Sequence, residues 1–322
     1  MKTMTVTKPA RSVVLRKNGV LRELIRHRTL LLMFLPVATL LLLFNYLPLA
    51  GLVIAFKNFD FSKGIFGSDW MHPWYENFNY LLSSSLAFRA VRNTILLNLL
   101  FIAVGLIFEV GLALMLNELR SKYFKSIAQS LTFLPFFISW IVVGVFTYNL
   151  LNFESGAVNR VLEAMGFDPI NFYSAPALWP IILTIVIRWK VTGYGTIIYL
   201  AALTSIDNSY YEAAAIDGAS RWQQIRYISI PMLKPTILIL TLLAVGRIMN
   251  ADFGMFYAMV GDASLLYPTT DVIDTLVYRS LRKSGDIGMA SAAGFLQSVV
   301  AFVLVLSSNY AARKVDKDSA IF

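Results

Sequence analysis

The sequence predicts an all-α integral membrane protein with about six transmembrane helices and both termini cytoplasmic. Three observations carry that reading. Of 322 residues, 57% are hydrophobic and only 15% charged, with a mean hydropathy of +0.64; a soluble domain has about 45–50% and about 25%. Six stretches reach the roughly 20 residues that a helix needs to cross the hydrocarbon layer. Lys and Arg gather in alternate loops. The stretches lack the alternation over about 10 residues that barrel strands would show.

The chain opens on a basic segment, residues 1–28, with Lys2, Lys8, Arg11, Arg16, Lys17, Arg22, Arg26 and Arg28. Residues 29–56 follow without a charge. A basic stretch before an apolar run also begins a signal peptide, but this run is too long for one. Neither Leu35-Pro36-Val37 nor Leu47-Pro48-Leu49 resembles a small-residue cleavage site, so it is expected to stay as the first span. The extracytoplasmic loop 57–89 is rich in aromatics, with Phe56, Phe59, Phe61, Phe66, Trp70, Trp74, Tyr75, Phe78 and Tyr80 in or beside it. These fit an interfacial belt or a cap that docks an outside partner. The core, residues 90–312, holds five further spans at 90–117, 126–153, 177–203, 235–258 and 287–312. Residues 313–322 form the tail.

With the first segment inside, the inner loops are 118–125, 204–234 and the tail. That side carries 17 Lys and Arg; the outer side carries seven, and four lie within spans. The net charge of +9 is then topological, held near anionic lipid heads, and does not mark a nucleic-acid surface. Cysteine is absent and the two histidines, His27 and His72, lie far apart. Disulfide scaffolds, thiol nucleophiles and Cys-bearing metal sites are excluded. No nucleophile–base pair or His cluster suggests an enzyme. A P-loop requires Gly-Lys, and that dipeptide does not occur.

The inner loop 204–234 is the most informative stretch. Ser209 with Glu212 and Ser220 with Gln223 read as capping boxes. Gly218 stands between them as a helix stop, and Pro231 is expected to end the second helix. Two short helices with a tight turn follow. Trp222, Ile225 and Ile228 recur at three-residue spacing, an apolar stripe that lipid, the chain's own helices or a partner groove would cover.

Glu212-Ala213-Ala214, then Gly218, Ile228 and Pro231, resemble the EAA motif of binding-protein-dependent ABC importer permeases, with Ile230 where Leu is usual. The likeness spans roughly residues 90–310. More narrowly, Phe133-Leu134-Pro135, residues 189–195, Ala251-Asp252-Phe253-Gly254 and residues 267–275 resemble the polysaccharide and oligosaccharide branch of carbohydrate permeases, including the larger permease subunit of alginate importers. The resemblance implies the type I ABC importer permease fold, a multi-pass location in the bacterial inner membrane and alternating access. It implies a coupling role for Glu212, Ala213, Ala214, Asp217, Gly218, Trp222, Ile225, Ile228 and Pro231. Implied partners are a second permease subunit as heterodimer, two ABC ATPase subunits that hold ATP and Mg, and an extracytoplasmic solute-binding protein. No cofactor is expected on this chain.

Charges inside spans cost about 2.5–3.5 kcal/mol each on insertion scales, so Glu109, Arg188, Lys190, Arg247 and Asp252 need partners or water. Internal pairing is one reading and a water-filled solute path the other. Gly193 and Gly195 interrupt the fourth span, where transporters place sites. Arg188, Trp189, Lys190, Tyr194, Arg247, Asn250 and Asp252 are the candidate path residues, and their cations suit an acidic oligosaccharide. The rival reading is an ion-gradient-driven secondary transporter, which the intramembrane Asp252 and Glu109 would serve.

Overall fold

The computed structural model describes residues 27–315; the basic segment 1–26 and the tail beyond 315 lie outside them. The chain divides into two compact units, Met1–Val53 and Ile54–Phe322.

The first unit carries α1 (Arg28–Leu41), a π turn at Leu42–Tyr46 and the start of a 3-10 helix, Leu47–Phe56. Apolar on every side, α1 buries no side chain and contains Pro36. Together these segments make a continuous apolar run, Arg28–Phe56.

The second unit opens on a hairpin, β1 (Lys57–Asn58) against β2 (Asp69–Trp70), antiparallel with Lys57 opposite Trp70. The Lys57 ammonium is buried and donates to the carbonyls of Phe66 and Ser68 at 3.0 and 3.1 Å. Phe56 and Phe78 pack on Phe295, whereas Phe61, Phe66, Trp70 and Trp74 point outward. After α2 (Glu76–Ser83) come the long helices. They are α3 (Ser85–Asn117), α4 (Lys122–Phe133), α5 (Trp140–Leu151), the short α6 (Ala157–Ala164), α7 (Trp179–Thr204), α8 (Asn208–Ile216) and α9 (Arg221–Gly246). Then follow α10 (Phe253–Val260), α11 (Ile273–Arg279) and α12 (Ile287–Val315).

Among the described residues five helices are long and apolar enough to cross a membrane, and a sixth span forms if α4 and α5 count as one bent pair. Helix starts follow local chemistry. Ser84, Ser121 and Ser139 each accept an amide of the first turn, of Leu86, Phe124 and Val142, satisfying donors that an apolar solvent would leave bare. The pillar is α3 against α7, where Gly105 and Ala113 on one side and Gly195 and Leu200 on the other are buried. Small residues let helices approach closely where lipid offers no hydrophobic drive.

Three expectations need correction. Residues 126–153 are not one straight span: the chain bends by 94° between Phe137 and Trp140. Pro135 removes an amide from the ladder, and Ser139 caps a new helix. Residues 235–258 are not one span either, because α9 stops at Gly246 and the backbone is unwound before Asp252 caps α10. Pro231 does not end the second inner-loop helix. Residues Ile225–Ser229 form a π turn ahead of it, and that wider turn takes up the ring and missing donor, so the helix runs on.

The closest approach is at Gly193, where an added Cβ would collide with the Thr132 carbonyl oxygen of α4. Gly193→Val should therefore destabilise the purified chain by about 1–3 kcal/mol, the usual cost of overpacking, read as a lower melting temperature in detergent. An unchanged melt would show that α4 and α7 yield at that point.

Candidate functional site

Two places gather the sequence-predicted residues: the α8–α9 elbow and the place where the α4–α5 bend meets the stretch between α9 and α10. At the elbow, Asp207 and not Ser209 caps α8, because its carboxylate accepts the Ser209 amide at 2.9 Å. That bond and a second from the Ser209 side chain hold the Asp207 carboxyl below its ordinary range. The expected Ser209–Glu212 box does not form, since the helix has already begun at Asn208. The Ser220–Gln223 box does form.

Gly218 sits at φ +80°, the left-handed region that only Gly adopts at no steric cost. Its amide bonds the Ala215 carbonyl at 3.1 Å, and the Ala219 amide bonds the Ala214 carbonyl at 2.8 Å, the Schellman pattern. Glu212, Ala213, Asp217 and Pro231 are exposed, and Ala214 is half-buried. The predicted stripe is divided: Trp222 is 68% exposed, while Ile225 and Ile228 are half-buried. Gln224 and Ser229 form the buried side. Residues three apart drift around a helix, so the stripe cannot stay on one face. Arg221 reaches Glu118 at 4.0 Å, with both groups partly in the open.

In the spans, Glu109 of α3 and Arg188 of α7 pair at 3.1 Å, with 18% and 12% of their side chains exposed. A Cβ on Gly105 would strike Arg188, and one on Gly195 would strike Glu109; the two glycines make the seat. Lys190 turns the other way. Its ammonium donates to the carbonyls of Pro135, Phe136 and Ile138, which line the bend, and lies 5.2 Å from the Trp140 ring. Trp140 in turn donates to Asp252 at 2.6 Å, which joins the two breaks. Asp252 also accepts the Met255 amide. Tyr194 stacks on Phe136 at 4.7 Å and 9° and is 46% exposed. Trp189 is 49% exposed.

The unwound strand between α9 and α10 is held from three sides. Asn98 donates to the carbonyls of Ile248 and Asn250, Gln297 donates to the Met249 carbonyl and the Asn250 side chain, and Asp274 accepts the Ala251 amide. Arg247 is exposed and makes no side-chain hydrogen bond or ion pair among the described residues. The structure thus gathers Lys190, Tyr194 and Asp252, sets Arg247 and Asn250 on the same unwound strand, and sends Arg188 to Glu109.

Sequence reading missed Trp140, Asn98, Gln297 and Asp274. Isolated polar residues in apolar runs were the available signal. It also missed Asp271, whose fully buried carboxylate takes Arg279 at 2.7 Å and Arg89 at 3.2 Å. The Arg89 contact ties the segment before α11 to the start of α3, and the Arg279 contact ties it to the end of α11.

Residues 101–317 match the family described as binding-protein-dependent transport system inner membrane component. The chain belongs to that family. It is 32% identical to the polygalacturonan/rhamnogalacturonan transport system permease protein YteP of Bacillus subtilis, over 99% of each chain. It is similar to a solved bacterial ABC transporter involved in the import of the acidic polysaccharide alginate, with TM-score 0.83, 33% identity and 92% of this chain and 99% of that one covered. A second alginate transporter structure, in complex with an alginate pentasaccharide-bound periplasmic protein, matches at TM-score 0.83 and 34% identity over 92% and 98%. The permease therefore has the ABC importer permease fold, and its relatives are sugar permeases.

Removing one member of a buried pair costs about 3–5 kcal/mol, whereas replacing both with apolar groups costs far less. Glu109→Leu is expected to destabilise the permease by that amount, and Glu109→Leu with Arg188→Met to recover most of it, in a double-mutant melting series. Additive losses would mean that the pair is not the unit.

Proposed function

We propose that this permease is the membrane subunit of an ATP-driven importer of oligosaccharides, acidic ones of the uronate type in particular. Its place is a bacterial inner membrane, with both termini and the α8–α9 elbow on the cytoplasmic side, where Lys and Arg are concentrated. The elbow docks a separate ATPase through Glu212, Ala213, Ala214, Asp217, Gly218 and Trp222. Ile225, Ile228 and Pro231 join it to the span. Two ATPase subunits hold ATP and Mg, a second permease completes the path, and a solute-binding protein delivers the sugar from outside.

The observation that carries the reading is the likeness over nearly the whole chain to polyuronide permeases, YteP and the alginate transporter. What supports the path is the meeting of the bent α4–α5 pair with the unwound stretch between α9 and α10, since interrupted helices are where transporters place their sites. Tyr194, Trp189 and Trp140 offer ring faces for sugars. Of the three cations first considered, Arg188 is neutralised by Glu109 and Lys190 is spent on three carbonyls. Arg247 remains for an anionic ring, with Asn250 and Asp252 beside it. The ion-gradient alternative is not favoured, because Glu109 is paired and Asp252 is engaged by Trp140.

The motion is alternating access. Closure of the ATPase pair pulls the elbow, and α9 carries that displacement to the unwound strand that bears Arg247.

Arg247→Gln is expected to lower uptake of a uronic-acid trisaccharide by about tenfold, the size of one lost charged hydrogen bond, with less than about a twofold effect on a neutral trisaccharide. Vesicle uptake of the two labelled sugars measures it, and equal losses would remove the acidic preference. Gly218→Val forces a left-handed backbone on a branched residue. ATP hydrolysis in the assembled transporter should then cease to respond to the loaded binding protein; retained stimulation would argue against docking through the elbow.

A further inference from the structure

We propose that the hydrogen bond between the Tyr211 and Ser229 hydroxyls is the brace that makes the elbow move as one piece, so that Tyr211 is a positioning residue for coupling. The inference rests on the reading of the elbow as the contact with the motor.

The devices at the corner are all short-range. The Schellman bonds at Gly218, the Ser220–Gln223 box and the bond from Gln224 to the Ala219 carbonyl lie close to the bend. They fix the corner itself and leave α8 free to swing about a glycine, the residue with the most backbone freedom. Tyr211 lies about two helical turns before Gly218, and Ser229 about three turns after it. Their hydroxyl oxygens are 2.9 Å apart. The bond closes a triangle whose sides are α8, the corner and α9. Among the described residues it is the one side-chain hydrogen bond that joins α8 to α9.

The surroundings suit a brace. Ser229 is 1% exposed, so water does not compete for its hydroxyl and the bond gains from the low local dielectric. It is the last residue of the π turn Ile225–Ser229, the widened turn through which the elbow joins the span. The other long-range contact, Arg221 with Glu118 at 4.0 Å, has side chains 68% and 33% exposed; solvent and salt weaken it. A load applied to the exposed Glu212, Ala213 or Ile216 would be lost in rotation about Gly218 without the brace. With it, the load reaches Ser229, and α9 carries it to Gly246 and the strand that bears Arg247.

The chain has no cysteine of its own, so spin labels at chosen sites on it are free of background once the partner subunits are made cysteine-free. Labels at Asn208→Cys and Leu243→Cys, in the full transporter purified with its partners in nanodiscs, read the elbow angle by pulsed electron resonance, without nucleotide and with MgATP. The parent is expected to give one narrow distance in each state. Tyr211→Phe and Ser229→Ala should each broaden it, through a shift of about fivefold in the braced population, the worth of one net hydrogen bond. The double variant should be no broader than either single one. A merely structural bond would lower the melting temperature and leave the width unchanged. Distributions as narrow in Tyr211→Phe as in the parent, or additive broadening in the double variant, would overturn the brace. A parent elbow indifferent to MgATP would instead overturn the motor-docking reading on which the coupling role rests.

Discussion

A backbone amide or carbonyl inside a bilayer has no water to turn to, and that constraint organises this molecule. One span is bent between α4 and α5, the helix after α9 is reached through an unwound stretch, and each irregularity leaves polar groups that a continuous helix would have paired. The bend between α4 and α5 is answered by a single lysine, Lys190, which gathers three carbonyls. The strand between α9 and α10 is answered by Asn98, Gln297 and Asp274, from three different helices. Lys190, Asn98 and Gln297, which look misplaced in apolar runs, are therefore among the residues that permit the breaks.

The breaks in turn give the permease its irregular surface. A regular bundle would present side chains alone, whereas here an unwound strand exposes Arg247 and Asn250. Trp140 and Asp252 join the α4–α5 bend to the start of α10 at 2.6 Å, so movement at one is felt at the other. The pillar of α3 and α7 stands beside them, locked by the Glu109–Arg188 pair in its glycine seat. Asp271 fastens the segment before α11 to the start of the same pillar. Locked helices and irregular stretches are thus placed side by side.

At the other end, the elbow combines an exposed arm with a buried hinge. Its corner is set by glycine conformation and a capping box, both local, while its attachment to the span passes through a π turn ahead of Pro231. The wide turn keeps α9 continuous from the elbow to Gly246, which turns two predicted pieces into one helix.

Much of this was legible in the residues. Composition and run length determined a helical membrane protein, because lipid demands about 20 apolar residues per crossing. Gly218 and the Ser220–Gln223 box determined the corner, because these signals act over a few bonds. The cap of α8 was misplaced by two residues, since Asp207 and Ser209 both suit the role and only the built helix chooses. What tertiary structure alone decided was the fate of each intramembrane charge: Arg188 and Lys190 are two residues apart, yet one meets a carboxylate and the other three carbonyls. It also decided the two breaks, since a proline or a capping residue permits an interruption but does not require it. Whether a helix stops depends on partners for its freed groups, and those partners, Asn98, Lys190, Asp274 and Gln297, are brought there by the packing of other helices.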